Sequence, residues 1–146
     1  MAKASKIILG KRPDVFSKEV SFLMLDGSEG CMKVDYKYRT RKEFAEFADA
    51  IQGRVKAEAE AQVERYKKAN ETGEALPDVT QAELMQREAE FKSDYIMDAV
   101  NGWNLDIPFD RAAVEQLVDE LPAAATAIIG TYRDAITEGR LGNSAR

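Results

Sequence analysis

The sequence predicts an α+β domain: an antiparallel β-hairpin at about residues 15–38, then four α-helices at about 41–70, 81–101, 111–121 and 123–138. Three observations predict it. Apolar residues alternate with polar ones early in the chain. Helix-start signatures recur after residue 40, and apolar residues then return at helical spacing.

In the first strand, Val20, Phe22 and Met24 alternate with Glu19 and Ser21. In the second, Met32, Val34, Tyr36 and Tyr38 alternate with Lys33, Asp35 and Lys37. Such alternation puts one face of a strand on a core and the other in water. Asp26-Gly27-Ser28-Glu29-Gly30 between them is a turn cluster. A two-residue Asp26-Gly27 loop would set Phe22 against Cys31 and the apolar faces would disagree. An odd loop of three or five residues restores agreement, with Phe22 opposite Met32 or Val34. An isolated hairpin is marginal, so this one must pack on helices or on another sheet. The preceding residues 1–14 read as an arm, with a short edge strand at Ile7-Ile8-Leu9.

Thr40-Arg41-Lys42-Glu43 is a capping box opening the first helix. Its apolar positions are Phe44, Phe47, Ile51, Val55, Val63 and Tyr66, and between Lys56 and Gln62 it thins to Ala and Glu. That stretch favours helix but has little to bury, so the helix projects or packs lightly there. Residues 70–79 carry Gly, Pro and polar groups and form a linker. Thr80-Gln81-Ala82-Glu83 opens the second helix, marked by Leu84, Phe91, Tyr95, Ile96 and Val100, with Gly102 as its stop. These two helices are placed to fold back on one another. Asp110 caps the third, which carries Ala113, Val114, Leu117, Val118 and Leu121. Pro122 breaks the chain before the fourth, which carries Ala125, Ile128, Ile129, Tyr132 and Ile136 and stops at Gly139. Residues 140–146 form a short tail, expected to be mobile.

A length of 146 residues suits one domain with a real core. At 45% hydrophobic and 32% charged, the composition is that of a folded soluble chain. No apolar run approaches the roughly 20 residues of a membrane span, and the three-residue patch near the N-terminus is too short for a signal peptide. A lone Cys31 forms no internal disulfide, which points to the cytoplasm. Histidine is absent. That removes the commonest general base and zinc ligand, and with one cysteine no Cys-His nucleophile can be assembled. The acid pairs Asp106 with Asp110 and Asp119 with Glu120 read as solvated surface, and Gly27 with Gly30 lacks the ending of a phosphate loop. The chain is therefore read as non-catalytic, with no metal and no cofactor.

Charge is uneven. Residues 1–45 hold ten basic and six acidic groups, net +4; residues 46–100 hold seven and thirteen, net −6; residues 101–146 hold four and seven, net −3. Surface solvation accounts for this asymmetry, and head-to-tail self-association would exploit it. Tyr36, Tyr38, Arg39, Arg41 and Lys42 mix rings and cations as nucleic-acid binders do. In a chain of net charge −5 the tyrosines fit a packed hairpin face better, so no nucleic-acid partner is expected. Trp103, Leu105, Ile107 and Phe109 alternate with Asn104, Asp106 and Pro108 in a loop. Trp103 reads as core, and Phe109 as core or as an interface anchor.

Three stretches carry a resemblance. The first is Gly10-Lys11-Arg12-Pro13 with the hairpin and Tyr38-Arg39-Thr40-Arg41-Lys42-Glu43-Phe44. The second is Gly102-Trp103-Asn104-Leu105, and the third runs from Leu117-Val118-Asp119-Glu120-Leu121-Pro122 through Tyr132-Arg133-Asp134-Ala135-Ile136 to Leu141-Gly142-Asn143. Together they resemble a tail assembly chaperone of long-tailed bacteriophages. The resemblance implies a protein made in the infected bacterial cell and absent from the finished virion. It implies that the protein coats the tape-measure protein, keeps it soluble and recruits tail-tube subunits, the major tail protein. It also implies that a longer form is made by frameshifting in many such families; an end just after Asn143 fits the short form. No catalytic residue comes with it.

A tape-measure protein is a long helix with apolar stripes, and a chaperone for it needs an apolar groove between helices. The expected groove lies between the third and fourth helices, edged by Val114, Val118, Ile129 and Tyr132, with Phe109 nearby. The hairpin edge offers strand addition to a second copy. The alternative function is a structural subunit of the tail or the head–tail joint.

Overall fold

The computed structural model describes residues 7–73 and 80–141. Its order is β1 (Val15–Leu23), β2 (Glu29–Lys37), α1 (Arg41–Thr72), α2 (Gln81–Ala99), β3 (Val100–Trp103), α3 (Arg111–Glu120) and α4 (Pro122–Glu138). The hairpin and four helices are as expected, and a third strand is added in the middle. Residues 1–6, 74–79 and 142–146, parts of the expected arm, linker and tail, lie outside the described residues.

β1 and β2 pair antiparallel, and β3 joins the far side of β2. The loop is odd: Leu23 pairs with Glu29, leaving five residues between. Within it the Met24 N–H donates to Ser28 O at 2.7 Å, and Gly27 closes a tight turn onto Met24 O with φ +85°. The facing partners differ from expectation by two residues. Val20, not Phe22, faces Met32, and Phe22 faces Gly30. Parity excludes odd slips but not a slip of two. Gly30 selects the register, because a Cβ there would lie 2.9 Å from the Phe22 ring and 2.6 Å from Met24 Sδ. Residues 7–9 form no strand.

α2 stops at Ala99, two residues before the expected end, and Gly102 is not its cap. Val100 turns extended and the chain enters β3. A bulge at Asp35/Tyr36 absorbs the mismatch as Val34 faces Trp103 and Tyr36 faces Val100. Asn104 then prolongs the pairing, its N–H donating to Lys33 O at 3.1 Å and its Oδ1 accepting from Lys33 N–H at 2.8 Å. Four residues containing Asn-Gly carry no strand signal of their own; β2 supplies the partner.

The helix starts follow their sequence signals. Thr40 and Glu43 form a reciprocal capping box on α1. Thr80 and Asp110 accept from backbone N–H groups of Glu83 and Ala113. Pro122 sits in the first turn of α4, and Gly139 ends it at φ +70°. One sheet face packs on α4 and α2, and α3 closes against both helices. Phe16, Val20, Met32, Val34 and Tyr36 supply the sheet side of the core. Ile96, Val100, Val114, Ile128 and Tyr132 are among its buried partners.

Candidate functional site

The four helices treat their apolar residues differently. In α1, Phe44, Phe47 and Ile51 pack on the core, whereas from Gln52 to Ala61 every residue is exposed. A 32-residue helix is about 48 Å long, so more than half of it runs past the core. α2 returns alongside it, as expected. Arg54 pairs with Asp94 at 3.3 Å and Asp98 at 3.1 Å, and farther out Arg87 reaches Glu58 at 3.7 Å and donates to Gln62 at 3.0 Å. Residue numbers rise on one helix as they fall on the other, so the pair is antiparallel. Near the core Asp94 also receives Arg111 at 2.6 Å, tying α3 to the base of this two-helix arm.

Between α1 and α2 lies a groove of about 220 Å³, walled by Ile51, Val55, Ala59 and Phe91 and rimmed by Arg54, Glu58, Arg87, Glu90 and Asp94. Beyond it the gap widens to about 610 Å³ among polar groups including Gln62, Arg65, Glu83 and Gln86. Val63 is 53% exposed on α1 and Met85 62% exposed on α2. The arm thus combines an apolar floor, mixed charged walls and uncovered aliphatic groups. That combination suits the apolar stripe of another helix with charges beside it.

The structure places the residues expected from sequence elsewhere. Val114 and Tyr132 are 0% exposed and Val118 is buried, all within the core cluster. Ile129 and Phe109 are half-buried against it. α3 and α4 are in contact with each other. Contact of Val114, Val118 or Tyr132 with a partner would require that layer to open. Sequence alone does not reveal the groove of the α1–α2 arm, because Val55 and Phe91 lie on different helices and the register between those helices sets whether they meet. The Ala and Glu run at 56–62 was its sequence signal, since a helix with nothing to bury at home leaves its sparse apolar positions uncovered.

Tyr132 is instead the hub of a buried polar and aromatic network. Its ring stacks 5.1 Å from Tyr36 and meets Phe47 edge-on at 6.1 Å. Its hydroxyl donates to Lys37 O at 2.9 Å and accepts from Arg39 at 2.9 Å. Arg39 also donates to Asp98 O at 3.1 Å and lies over the Phe47 ring at 4.3 Å. Tyr36 donates to Ile128 O at 2.8 Å. Burial raises the pKa of the Tyr36, Tyr132 and neighbouring Tyr95 phenols, that of Tyr95 to about 12. The Tyr36, Tyr38 and Arg39 group, which sequence could also read as a nucleic-acid surface, is thus largely spent on internal packing.

Trp103 is half-buried rather than enclosed. Its Nε1–H donates to Ile107 O at 2.8 Å, and its ring meets Phe109 edge-on at 5.0 Å. The 104–110 loop is thereby folded over α3 as a strap. Among the described residues, no group of three or more Asp, Glu or Cys is placed to hold a metal ion. No helix among them is long and apolar enough to cross a membrane.

The family model described as phage tail assembly chaperone matches residues 1–143. No curated protein and no solved structure matches the chain.

Proposed function

The chain belongs to the phage tail assembly chaperone family, and from that premise we propose that it binds the tape-measure protein and tail-tube subunits during tail assembly, by shape and without catalysis. The observation that carries the binding mode is the projecting α1–α2 arm, with its apolar groove between charged walls. A tape-measure helix laid along the arm buries its stripe against Val55, Ala59 and Phe91 and sets its own charges beside Arg54, Glu58 and Arg87. The half-buried Phe109 and Ile129 form a smaller contact candidate at the core end. Self-association through the outer edge of β1, which pairs with no other strand among the described residues, is the second part of the proposal.

Co-expression with the tape-measure protein tests it. Wild-type chain is expected to keep that protein soluble and to co-purify with it. Val55→Glu, at an exposed position, is expected to fold normally and to lose both effects. Loss of neither rejects the groove. Presence of this chain in purified phage particles, read by mass spectrometry, would favour a structural tail subunit over a chaperone.

A further inference from the structure

The outer edge of the sheet carries two uncovered apolar features that match. Among the described residues β1 is the edge strand, with β2 on its one paired side. Between the end of β1 and the first turns of α4 lies an open groove of about 450 Å³, lined by Phe22, Leu23, Pro122, Ala123 and Ala127 with Ser21 and Thr126. Leu23 is 68% exposed. No residue of β2 lines this groove, so it opens on the unpaired side of β1. The second feature is the arm segment Ile7-Ile8-Leu9, with Ile7 87% and Leu9 93% exposed. Two β-branched residues and a leucine suit a short added strand.

The arm cannot fill the groove of its own chain. Arg12 is held by Glu43 at 2.5 Å and lies over the Tyr38 ring at 5.0 Å. The Tyr38 N–H in turn donates to Asp14 O at 2.9 Å. These contacts fix the root of the arm at the end of β1 remote from the hairpin loop. The five residues from Arg12 back to Ile7 span at most about 18 Å, while the strand from Asp14 to Phe22 covers about 26 Å. The groove lies at the loop end.

We infer that Ile7-Ile8-Leu9 of one copy adds to the β1 edge of a second copy and fills its groove between β1 and α4. Charge favours this occupant. Lys6 and Lys11 flank the apolar triplet in sequence, and exposed Asp119 and Glu120 precede Pro122 of the groove wall by three and two residues. The contact is one-sided, arm into groove, so two copies joined by one contact keep one free arm and one free groove, and the assembly extends or closes as a ring. The inference rests on the self-association reading above and names its surfaces.

Sedimentation of the full chain over a range of concentrations tests it. Wild type is expected to form species larger than a monomer as concentration rises. Ile8→Asp in the arm and Leu23→Asp in the groove alter exposed side chains, and circular dichroism checks that both variants fold. Each is expected to weaken association by ~10-fold or more. An equimolar mixture of the two is expected to give a one-to-one dimer and nothing larger, because one intact arm meets one intact groove. If either variant associates as strongly as wild type, the arm-in-groove contact is wrong while self-association stands. Failure of the mixture to pair overturns the one-sided geometry. A wild type that stays monomeric throughout overturns self-association as well.

Discussion

Tyr132 shows how much one side chain can hold. Its ring joins sheet, α1 and α2, and its hydroxyl both caps the Lys37 carbonyl and receives Arg39. Tyr132→Phe keeps the ring and strands a carbonyl and a guanidinium, so urea unfolding is expected to show a loss of about 1–3 kcal/mol. Ser93 is the opposite case. It is fully buried and its hydroxyl has no hydrogen-bond partner among the described residues. Ser93→Ala removes a desolvated polar group, so the urea midpoint is expected to hold or rise. At the surface, the Arg12 hydrogen bond and then the Thr40 N–H lower the Glu43 carboxyl to about 2 from 4.5. Because the folded value is depressed, this contribution to stability is complete above the ordinary carboxylate value and fades as pH falls toward 2. An NMR titration of Glu43 is expected to show that low midpoint, and Arg12→Gln to move it upward. The pair is exposed, so added salt weakens the effect.

At the scale of elements, α1 is one helix with two environments. Its propensity is continuous, so it stays helical to Thr72, but packing supports its first part far more than its last. Hydrogen exchange is expected to show strong protection near Phe47 and Ile51, falling by orders of magnitude beyond Ala57. Uniform protection along the helix would mean that the arm is stabilised by something other than the core. β3 makes the reverse point. Its four residues have little intrinsic preference for a strand, and the edge of β2 imposes one through backbone pairing and the Asn104 side chain.

For the whole molecule, the core and the proposed binding surface are segregated. Ile96 is fully buried between sheet and helices, whereas Val63 stands half in water on the arm. Ile96→Ala is expected to cost ~2–5 kcal/mol in chemical unfolding, and Val63→Ala to stay within about 0.5 kcal/mol. Comparable losses at both positions would contradict the division into core and projecting arm. The division also explains why the α3–α4 residues were plausible binding candidates from sequence. Val114 and Val118 on α3, and Ile129 and Tyr132 on α4, recur at helical spacing, and an apolar face looks alike whether it meets its own sheet or a foreign helix.

The sequence by itself determined the α+β class, the helix starts at Thr40, Thr80 and Asp110, the break at Pro122, the stop at Gly139 and the odd hairpin loop. These depend on interactions within a few residues: caps, glycine conformations and the period of a strand. Tertiary structure alone decided the Phe22–Gly30 register, the third strand, the use of Tyr132 as a core hub and the opening of a groove on the α1–α2 arm. Each of these depends on which surfaces meet across tens of residues. A chain's local pattern states how much apolar surface must be covered, and only the packed molecule settles which of it is left over for a partner.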